Sequence, residues 1–318
     1  MAVSALAELF RATAPEKKPG DKTISYSQFA MWSMCPLKWK LTYIDKNKFG
    51  GPSIHTTFGT AFHETLQYYL WTMFKKSIKE ADQINLPELL QEQLINNYMV
   101  AVHEQCNGEH FSNPQELQEF YEDGVAILDW LKKHRSSYFT NQGYELVSIE
   151  MPLYVQASDK NKNVIMNGFL DIVLREIATD KIIIIDIKTS TKGWNAYAKA
   201  DKTKASQLVL YKSYLAKQYG YNEEKIDIKY FIVKRKLIEG FMYPQKRVQE
   251  FVPASGKPTR NKLLKEIENF IAAGFNEDGS YRTDGIFPAV AEGKSMKNCR
   301  YCEFAKLEEL CPKSKRIC

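Results

Sequence analysis

The sequence lacks the features that would place the protein in a membrane or in a secretory class. No stretch has the roughly 20 consecutive apolar residues that a transmembrane helix requires. Residues 1–10 lack the basic segment and the uninterrupted apolar run of a signal peptide. No internal repeat or low-complexity tract is present. These absences predict a cytoplasmic protein with no membrane partner.

The sequence also lacks the charge excess of a strongly basic nucleic-acid module. Its 44 Lys and Arg against 38 Asp and Glu give a net charge of +6, and the isoelectric point of 8.8 stays below the threshold of about 9 for such modules. This charge permits a polyanionic partner without requiring one. The 6 cysteines of this 318-residue chain are not needed as disulfides, because a chain of this length buries an adequate core.

The pattern of apolar residues divides the chain into parts. Residues 1–23 are predicted to be a flexible lead-in, 24–140 mainly helical, 141–275 an α/β core and 276–318 a cysteine-rich segment. Helices are predicted at about 58–74, 87–106, 114–131, 202–218 and 259–273, and strands at about 144–155, 164–174, 181–188, 226–233 and 241–251. Strands sandwiched by helices predict an α/β core with an N-terminal helical elaboration.

The predicted strand 181–188 carries charge where a buried strand should have none. It is β-branched on both faces except for Asp186 and Lys188, which are two residues apart and therefore share a face. Asp171 lies on the preceding strand, so pairing can bring the two aspartates together. Their carboxylates and the Ile187 carbonyl are hard ligands that suit Mg²⁺ or Mn²⁺. The alternatives are a metal-dependent hydrolytic centre and a structural ion pair.

Two predicted helices add polar side chains to this candidate centre. His63 lies beside an apolar helical stripe and can complete the coordination of the metal, although a core histidine is the alternative. Gln207 and Tyr211 are four residues apart, so they share a helix face and can hold Lys188 or a phosphate, unless they form an ordinary helix surface. Lys188 itself can orient or deprotonate an attacking water.

Four cysteines from the two ends of the chain form a second candidate metal site. Cys299 and Cys302 flank two residues, Cys311 follows after eight more, and Cys35 lies near the start. Cysteine thiolates bind zinc or an iron–sulfur cluster, and a metal bound by these four cysteines would tie the two ends of the chain together. The spacing does not separate zinc from iron. Cys318 is a further thiol that can compete with Cys311 as a ligand.

A basic and aromatic segment follows the strand that carries Lys188. Lysines suit phosphates and aromatic rings suit unpaired bases, so this segment can guide single-stranded DNA, while a solvated loop around a core tryptophan is an equal alternative. The candidate DNA-contacting residues are Lys192, Trp194, Tyr197, Lys199, Lys202 and Lys204. Lys234, Arg235 and Lys236 are predicted to extend this basic track.

In these motifs the chain resembles the PD-(D/E)XK nuclease superfamily, specifically its RecB-like branch, which includes CRISPR-associated adaptation nucleases and many phage exonucleases. The order of the family motifs is preserved. The matching motifs are Gly59-Thr60-Ala61-Phe62-His63, Gly168-Phe169-Leu170-Asp171, Asp186-Ile187-Lys188-Thr189 and Gln207-Leu208-Val209-Leu210-Tyr211. The resemblance implies a restriction-endonuclease-like core, with a central mixed β-sheet flanked by helices, in a single RecB-like nuclease domain over residues 24–318.

The resemblance also implies a role for each motif residue. His63, Asp171 and Asp186 would be metal ligands and Lys188 the catalytic lysine. Gln207 and Tyr211 would be their supporting pair on the following helix. Asp186 stands where many relatives carry Glu, which the family motif allows. For Glu150, on the strand before, a solvent-facing position is favoured over a supporting role.

One cysteine before the nuclease core and three after it resemble the iron–sulfur staple of the same branch. The stretch from Ser25 and Ser27 to Cys35 adds to this likeness. The resemblance implies a cluster, of the 4Fe–4S type, held by Cys35, Cys299, Cys302 and Cys311, with Zn²⁺ as the alternative.

The function implied by the resemblance is hydrolysis of DNA. We expect a metal-dependent exonuclease that acts on DNA ends or single strands in recombination, repair or phage genome processing. Its expected partners are DNA and a helicase or single-strand-annealing protein, in the bacterial cytoplasm or, for a phage protein, in the host cytosol. The alternatives are a non-catalytic nucleic-acid-binding recombination subunit and an RNA endonuclease.

Overall fold

The computed structural model describes residues 5–47, 49–291 and 297–317. The α-helices are α1 (Ala5–Glu8), α2 (Tyr26–Met34), α3 (Pro36–Trp39), α4 (Ile54–Lys75), α5 (Ile78–Gln83), α6 (Leu86–Gln105), α7 (Pro114–His134), α8 (Ala196–Ala200), α9 (Lys202–Tyr219) and α10 (Lys257–Gly274). The strands are β1 (Lys22–Ile24), β2 (Tyr144–Ser158), β3 (Asn161–Glu176), β4 (Lys181–Ser190), β5 (Ile226–Lys234), β6 (Val248–Phe251), β7 (Ala289–Val290) and β8 (Arg316–Ile317).

The helices that matter for the site begin at capping side chains. Ser53 forms a capping box with Thr56 at the start of α4. Asn113 accepts a hydrogen bond from the backbone N–H of Glu116, ahead of the proline that opens α7. Asp201 caps α9 in the same way. Local sequence therefore fixes where these helices begin.

The central sheet is six-stranded and mixed. β2 runs antiparallel along the whole of β3, while β1 and β4 pair with the beginning and the end of the other edge of β3. β4 then pairs in parallel with β5, and β5 pairs antiparallel with β6. The long strand β3 thus joins the N-terminal strand to β4.

Helices cover both faces of this sheet, and each face has its own apolar core. Side chains of α2, α9 and α10 pack on one face, where the core includes Phe29, Leu215 and Phe270. α4, α6 and α7 pack on the other face. The isoleucines of β4 alternate between the two cores, as in a strand buried on both sides. This arrangement confirms the predicted α/β architecture with a mixed sheet flanked by helices.

Two segments differ from their sequence-based predictions. The strand predicted at 241–251 is confined to Val248–Phe251, because Gly240 adopts a left-handed φ of 69° and Pro244 cannot donate to a ladder. Residues 11–22, predicted as part of a flexible lead-in, make specific contacts: Arg11 bridges to Ile149 of β2, and Lys22 begins β1.

None of the helices formed by the described residues combines the length and apolar character that a membrane span needs.

Candidate active site

β3 and β4 place Asp171 and Asp186 next to each other. The antiparallel ladder pairs Ile172 with Ile185. Asp171, which precedes Ile172, therefore lies across from Asp186, which follows Ile185. The backbone N–H of Ile187 donates to Asp171 Oδ2 at 2.7 Å, which fixes this carboxylate. The side chain of Asp186 is only 4% exposed. Two carboxylates are therefore held together at a largely buried position.

Lys188 provides the positive charge of this site. Its Nζ lies 2.7 Å from Asp186 Oδ2 and forms an ion pair with this buried oxygen. Burial alone would lower the pKa of Lys188, but the carboxylates of Asp186 and Asp171 outweigh it and raise this pKa. Lys188 is therefore protonated at neutral pH, which favours the orienting role over the deprotonating one.

The two carboxylates are not fully compensated by this single ammonium group. Burial raises the pKa of Asp171 well above its ordinary value, and the charge of Asp186 raises it further. Burial also raises the pKa of Asp186, although Lys188 opposes this effect. An additional cation would relieve the repulsion and the desolvation of both groups.

α4 delivers His63 to the same site. His63 Nδ1 lies 3.6 Å from Asp171 Oδ2. Burial and then the charge of Lys188 lower the pKa of His63 to about 3, so the imidazole is neutral, the form that binds metals. One turn earlier, Gly59 lets α4 approach β4 closely: a Cβ there would lie 3.2 Å from Thr189 Oγ1.

Gln207 and Tyr211 face the site from α9, as their spacing predicts. Gln207 Nε2 donates to the Tyr211 hydroxyl at 3.4 Å. Burial raises the pKa of Tyr211 to about 12, so its hydroxyl keeps its proton at neutral pH. Gly168 makes room for this ring, because a Cβ at Gly168 would lie 2.7 Å from the hydroxyl oxygen. The motif glycine and the motif tyrosine are thus in direct contact.

Glu150 faces the site, so the preference for a solvent-facing position was wrong. Its side chain is 13% exposed, and its backbone has a left-handed φ of 49°. Gln67 Nε2 donates to Glu150 Oε1 at 2.7 Å and also contacts the Asp171 carbonyl oxygen at 3.2 Å. Arg11 Nη2 lies 3.0 Å from Glu150 Oε2. Gln67 is one turn after His63 on α4, a spacing that could have revealed it.

The donor set at the end of β4 suits a hard divalent cation. Carboxylate and carbonyl oxygens are the ligands that Mg²⁺ and Mn²⁺ prefer, and the neutral imidazole of His63 adds a nitrogen ligand beside them. Among the described residues, no three His, Cys, Asp or Glu side chains are arranged to hold a metal ion as they stand. The residue types of His63, Asp171 and Asp186 fit a metal, although their arrangement in this structure does not enclose one, and the Lys188 ammonium offsets part of their negative charge.

A cavity of about 550 Å³ opens beside Lys188 and Gln207. Of the predicted DNA-contacting residues, Trp194 and Lys204 line this cavity. Lys202 lines an adjoining cavity of about 560 Å³ between α2, α9 and α10. The structure thus places two of these residues in the cavity beside Lys188 and a third in the neighbouring cavity.

The other residues of the predicted basic track are placed differently. Lys192 and Tyr197 are exposed, and Lys199 Nζ lies 5.7 Å from the centre of the Phe251 ring. Arg235 and Lys236 both form ion pairs with Glu119 and Asp123 of α7. Their N–O distances are 2.6–3.0 Å. That Arg235 and Lys236 extend the basic track stays a prediction, and these ion pairs reduce the charge that the two residues would offer to DNA.

The four predicted cluster cysteines surround one small cavity. Cys35, Cys299, Cys302 and Cys311 all line it, together with apolar side chains. Burial raises the pKa of the Cys299 thiol, and the other three cysteines contribute less, whereas Arg316 lowers it. None of the described cysteines forms a disulfide. Cys318 lies outside the described residues.

Comparison with known proteins identifies the family. No curated protein matches the sequence. The family model of the PD-(D/E)XK nuclease superfamily matches residues 23–311, which is most of the chain. This match includes every motif residue from His63 to Tyr211. PD-(D/E)XK nucleases use divalent metals such as Mg²⁺ or Mn²⁺, and the mixed sheet flanked by helices is consistent with their restriction-endonuclease-like fold. The chain therefore belongs to the PD-(D/E)XK nuclease superfamily.

Proposed function

We propose that the protein is a metal-dependent deoxyribonuclease of the RecB-like branch. Its reaction would be hydrolysis of phosphodiester bonds, as an exonuclease on DNA ends or single strands in recombination, repair or phage genome processing. We expect it to act in the cytoplasm, with a helicase or single-strand-annealing protein as a partner. The observation that carries the proposal is the convergence of His63, Asp171, Asp186 and Lys188, of which Lys188 lines a cavity open to solvent.

The residues of the site would have different roles in hydrolysis. His63, Asp171, Asp186 and the Ile187 carbonyl would hold Mg²⁺ or Mn²⁺, which when bound polarises the phosphate and makes water a better nucleophile. The protonated Lys188 orients the attacking water and offsets negative charge that develops on the phosphate. The Ile187 N–H keeps Asp171 in place.

The lining of the cavity supports a single strand as the substrate. Trp194 offers an aromatic face, and its ring is half-buried against Tyr230 at 5.0 Å between centroids, so it is held in a fixed position. Lys204 is exposed at the same cavity and forms no ion pair within the described part of the chain. A fixed aromatic ring beside a free cation suits an unpaired base and its phosphate.

The direct test is cleavage of end-labelled single- and double-stranded DNA in Mn²⁺. Lys188→Ala should reduce the rate by about 100- to 1,000-fold, because it removes a charge aimed at the phosphate. Asp186→Asn should abolish cleavage while leaving DNA binding. Asp227→Asn is the matched control, since Asp227 is an aspartate of the same sheet with an exposed ion pair to Lys181.

The outcomes separate the proposal from its alternatives. Lys188→Ala or Asp186→Asn proteins that cleave at the wild-type rate would reject the assignment of the site. Release of labelled nucleotides from linear but not circular DNA would support an exonuclease. Preferential cleavage of RNA would favour an RNA endonuclease, and binding without any cleavage would favour a non-catalytic recombination subunit.

We further propose that Cys35, Cys299, Cys302 and Cys311 hold a 4Fe–4S cluster. Support comes from the position of all four thiols around one cavity in an apolar setting. Purified protein should absorb visible light in the thiolate-to-iron region and contain iron, and Cys302→Ser should remove both. Cys106→Ser is the matched control, since Cys106 does not line this cavity. Zinc in a colourless protein would instead indicate a zinc site.

A further inference from the structure

The loop between β5 and β6, residues 235–247, presents a cluster of large apolar side chains to solvent. The side chain of Gln245 bonds both the N–H and the carbonyl of Ile238, at 3.0 and 2.7 Å, and closes the loop on itself. Gly240 supplies the left-handed turn at the tip. The exposed side chains, between 54% and 85% exposed, are Ile238, Phe241, Met242 and Tyr243. The fold thus holds an apolar tip away from the core.

The base of the β5–β6 loop is joined to the segment that follows the catalytic strand. The backbone N–H of Arg235 donates to the Ser190 carbonyl at 2.8 Å, at the end of β4. Gln249, just after the loop, exchanges two hydrogen bonds with the backbone of Trp194, at 2.8 and 3.0 Å. Trp194 lines the cavity beside Lys188. The loop therefore begins at the same end of β4 and β5 as the candidate active site.

Lys234 lies on the face of the sheet that carries Lys188. In the parallel ladder Lys188 of β4 pairs with Ile232 of β5, and Ser190 pairs with Lys234. Lys234 therefore lies on the strand next to Lys188, two residues beyond the partner of Lys188. Strand geometry puts the two lysine Cα atoms about 8 Å apart, which is close enough for neighbouring phosphates of one strand.

The base of the loop carries two cations, Lys234 and Arg247, that have no carboxylate within ion-pair distance among the described residues. Burial lowers the pKa of Arg247, and the charge of the more distant Asp123 opposes this only in part. Neither Lys234 nor Arg247 forms an ion pair with any described residue, in contrast to Arg235 and Lys236 between them. Arg247 Nη1 bonds the carbonyls of Lys234 and Arg235 instead, at 3.5 and 2.9 Å. Burial lowers the pKa of Lys234, and the charge of Arg247 lowers it further. Two adjacent, partly buried cations favour an anion between them.

We infer that the β5–β6 loop is a second nucleic-acid contact, in which Lys234 and Arg247 hold a backbone phosphate and Phe241 and Tyr243 stack on unpaired bases. The inference rests on the proposed function and adds the place where the strand continues beyond Lys188. Exposed aromatic rings on a loop whose base carries cations without ion-pair partners match an unpaired nucleic-acid strand, which combines base faces with phosphates. A purely apolar partner would leave these cations uncompensated.

The base-stacking part is tested by comparing two fluorescent oligonucleotides of equal length, one of thymidines and one abasic, in Ca²⁺ at low salt. The double variant Phe241→Ala, Tyr243→Ala should bind the thymidine strand about 5-fold or more weakly and the abasic strand as the wild type does. Ile177→Ala, which trims an exposed apolar side chain at the β3–β4 turn, is the matched control. Unchanged binding of the thymidine strand, or equal losses on both strands, would overturn the stacking assignment.

The phosphate-binding part is tested by Lys234→Ala. This variant should bind both strands more weakly, and the slope of log affinity against log salt should fall by about 0.7. Lys225→Ala is the matched control, because Lys225 stands just before the opposite end of β5. A wild-type salt slope for Lys234→Ala would overturn this assignment. Wild-type cleavage is measured in parallel: its absence refutes the proposed function, whereas cleavage with unchanged binding by the loop variants refutes only the loop inference.

Discussion

At the scale of single residues, Gly168 sets the position of Tyr211. A Cβ at Gly168 would lie 2.7 Å from the Tyr211 hydroxyl oxygen and 3.1 Å from Cζ. The ring of Tyr26 stands 6.5 Å away in an edge contact and restricts the movement of Tyr211. Gly168→Ala should therefore displace Tyr211 from Lys188 and cost about 10-fold or more in single-turnover cleavage. Overpacking should cost only about 1–3 kcal/mol of stability.

The control for Gly168→Ala is Gly51→Ala. A Cβ at Gly51 meets nothing within 4 Å, and its backbone does not need the left-handed region. Cleavage by Gly168→Ala at the rate of Gly51→Ala would contradict the contact with Tyr211.

Glu150 is expected to support the metal ligands through Gln67 and through its charge. Its carboxylate raises the pKa of both Asp171 and Asp186. The negative charge of Glu150 should therefore make the binding of a cation at this site more favourable. Glu150→Gln keeps the shape but removes the charge, and should weaken Mn²⁺ binding by roughly 10-fold, measured by calorimetry without DNA. Glu145→Gln, also an Arg-paired glutamate of β2, should bind Mn²⁺ as the wild type does. Equal affinities in the two variants would argue against this role.

The sequence predicted those site residues whose spacing along a strand or a helix puts them on one face. Asp186 and Lys188 share a face because they are two apart on a strand, and Gln207 and Tyr211 because they are four apart on a helix. Glu150 was missed because its orientation depends on a left-handed backbone within a strand, which a β pattern does not encode.

At the scale of elements, a polar cluster joins α4, α5 and the end of α7. Asp82 Oδ1 accepts from the Tyr69 hydroxyl at 2.8 Å and from Arg135 Nη1 at 2.6 Å. Burial would raise the pKa of Asp82, but the hydrogen bonds from Tyr69 and Arg135 outweigh it and hold this pKa below its usual value. A lowered pKa in the folded state means that the stabilisation is present above about pH 4 and is lost as the pH falls through the folded value.

Asp82→Asn should therefore lower the free energy of unfolding at pH 7 by about 0.5–1 kcal/mol, because the cluster is partly exposed. Urea unfolding between pH 7 and pH 3 should show this difference from the wild type shrinking as the pH falls. Asp159→Asn serves for comparison, since Asp159 forms a more exposed ion pair with Lys217. A difference that stays constant with pH would show that the charge of Asp82 is not the cause.

The elements with strong periodicity were predicted within a few residues, whereas pairings distant in sequence were not. The stripe that predicts a helix over 58–74 corresponds to α4, which extends to Ile54 because Ser53 caps it. By contrast, β1 is only three residues long and is a strand because it pairs with Val164–Met166 of β3. A segment this short carries no periodicity of its own, so its structure depends on the tertiary fold.

At the scale of the whole molecule, Trp39 connects the two ends of the chain. It is fully buried, and a Cβ on Gly274 of α10 would lie 2.8 Å from its ring. The aromatic rings that surround Trp39 are Tyr43, Phe270, Phe275, Tyr281 and Phe287. The helix α3 near the start and the segment after α10 therefore share one core, which supports the proposal of a single domain over residues 24–318.

A single domain should unfold as one unit wherever it is perturbed. Trp39→Leu should lower the free energy of unfolding by about 3 kcal/mol, because the smaller side chain leaves a cavity among packed rings. Trp130→Leu, a half-buried site on the opposite face of the sheet, should lower it less. In both variants far-ultraviolet circular dichroism and the hydrogen exchange of residues 297–317 should report the same midpoint in urea. Separate midpoints, with Trp39→Leu moving only the exchange of residues 297–317, would show that the cysteine-rich segment unfolds on its own and that the shared aromatic core does not couple the chain ends.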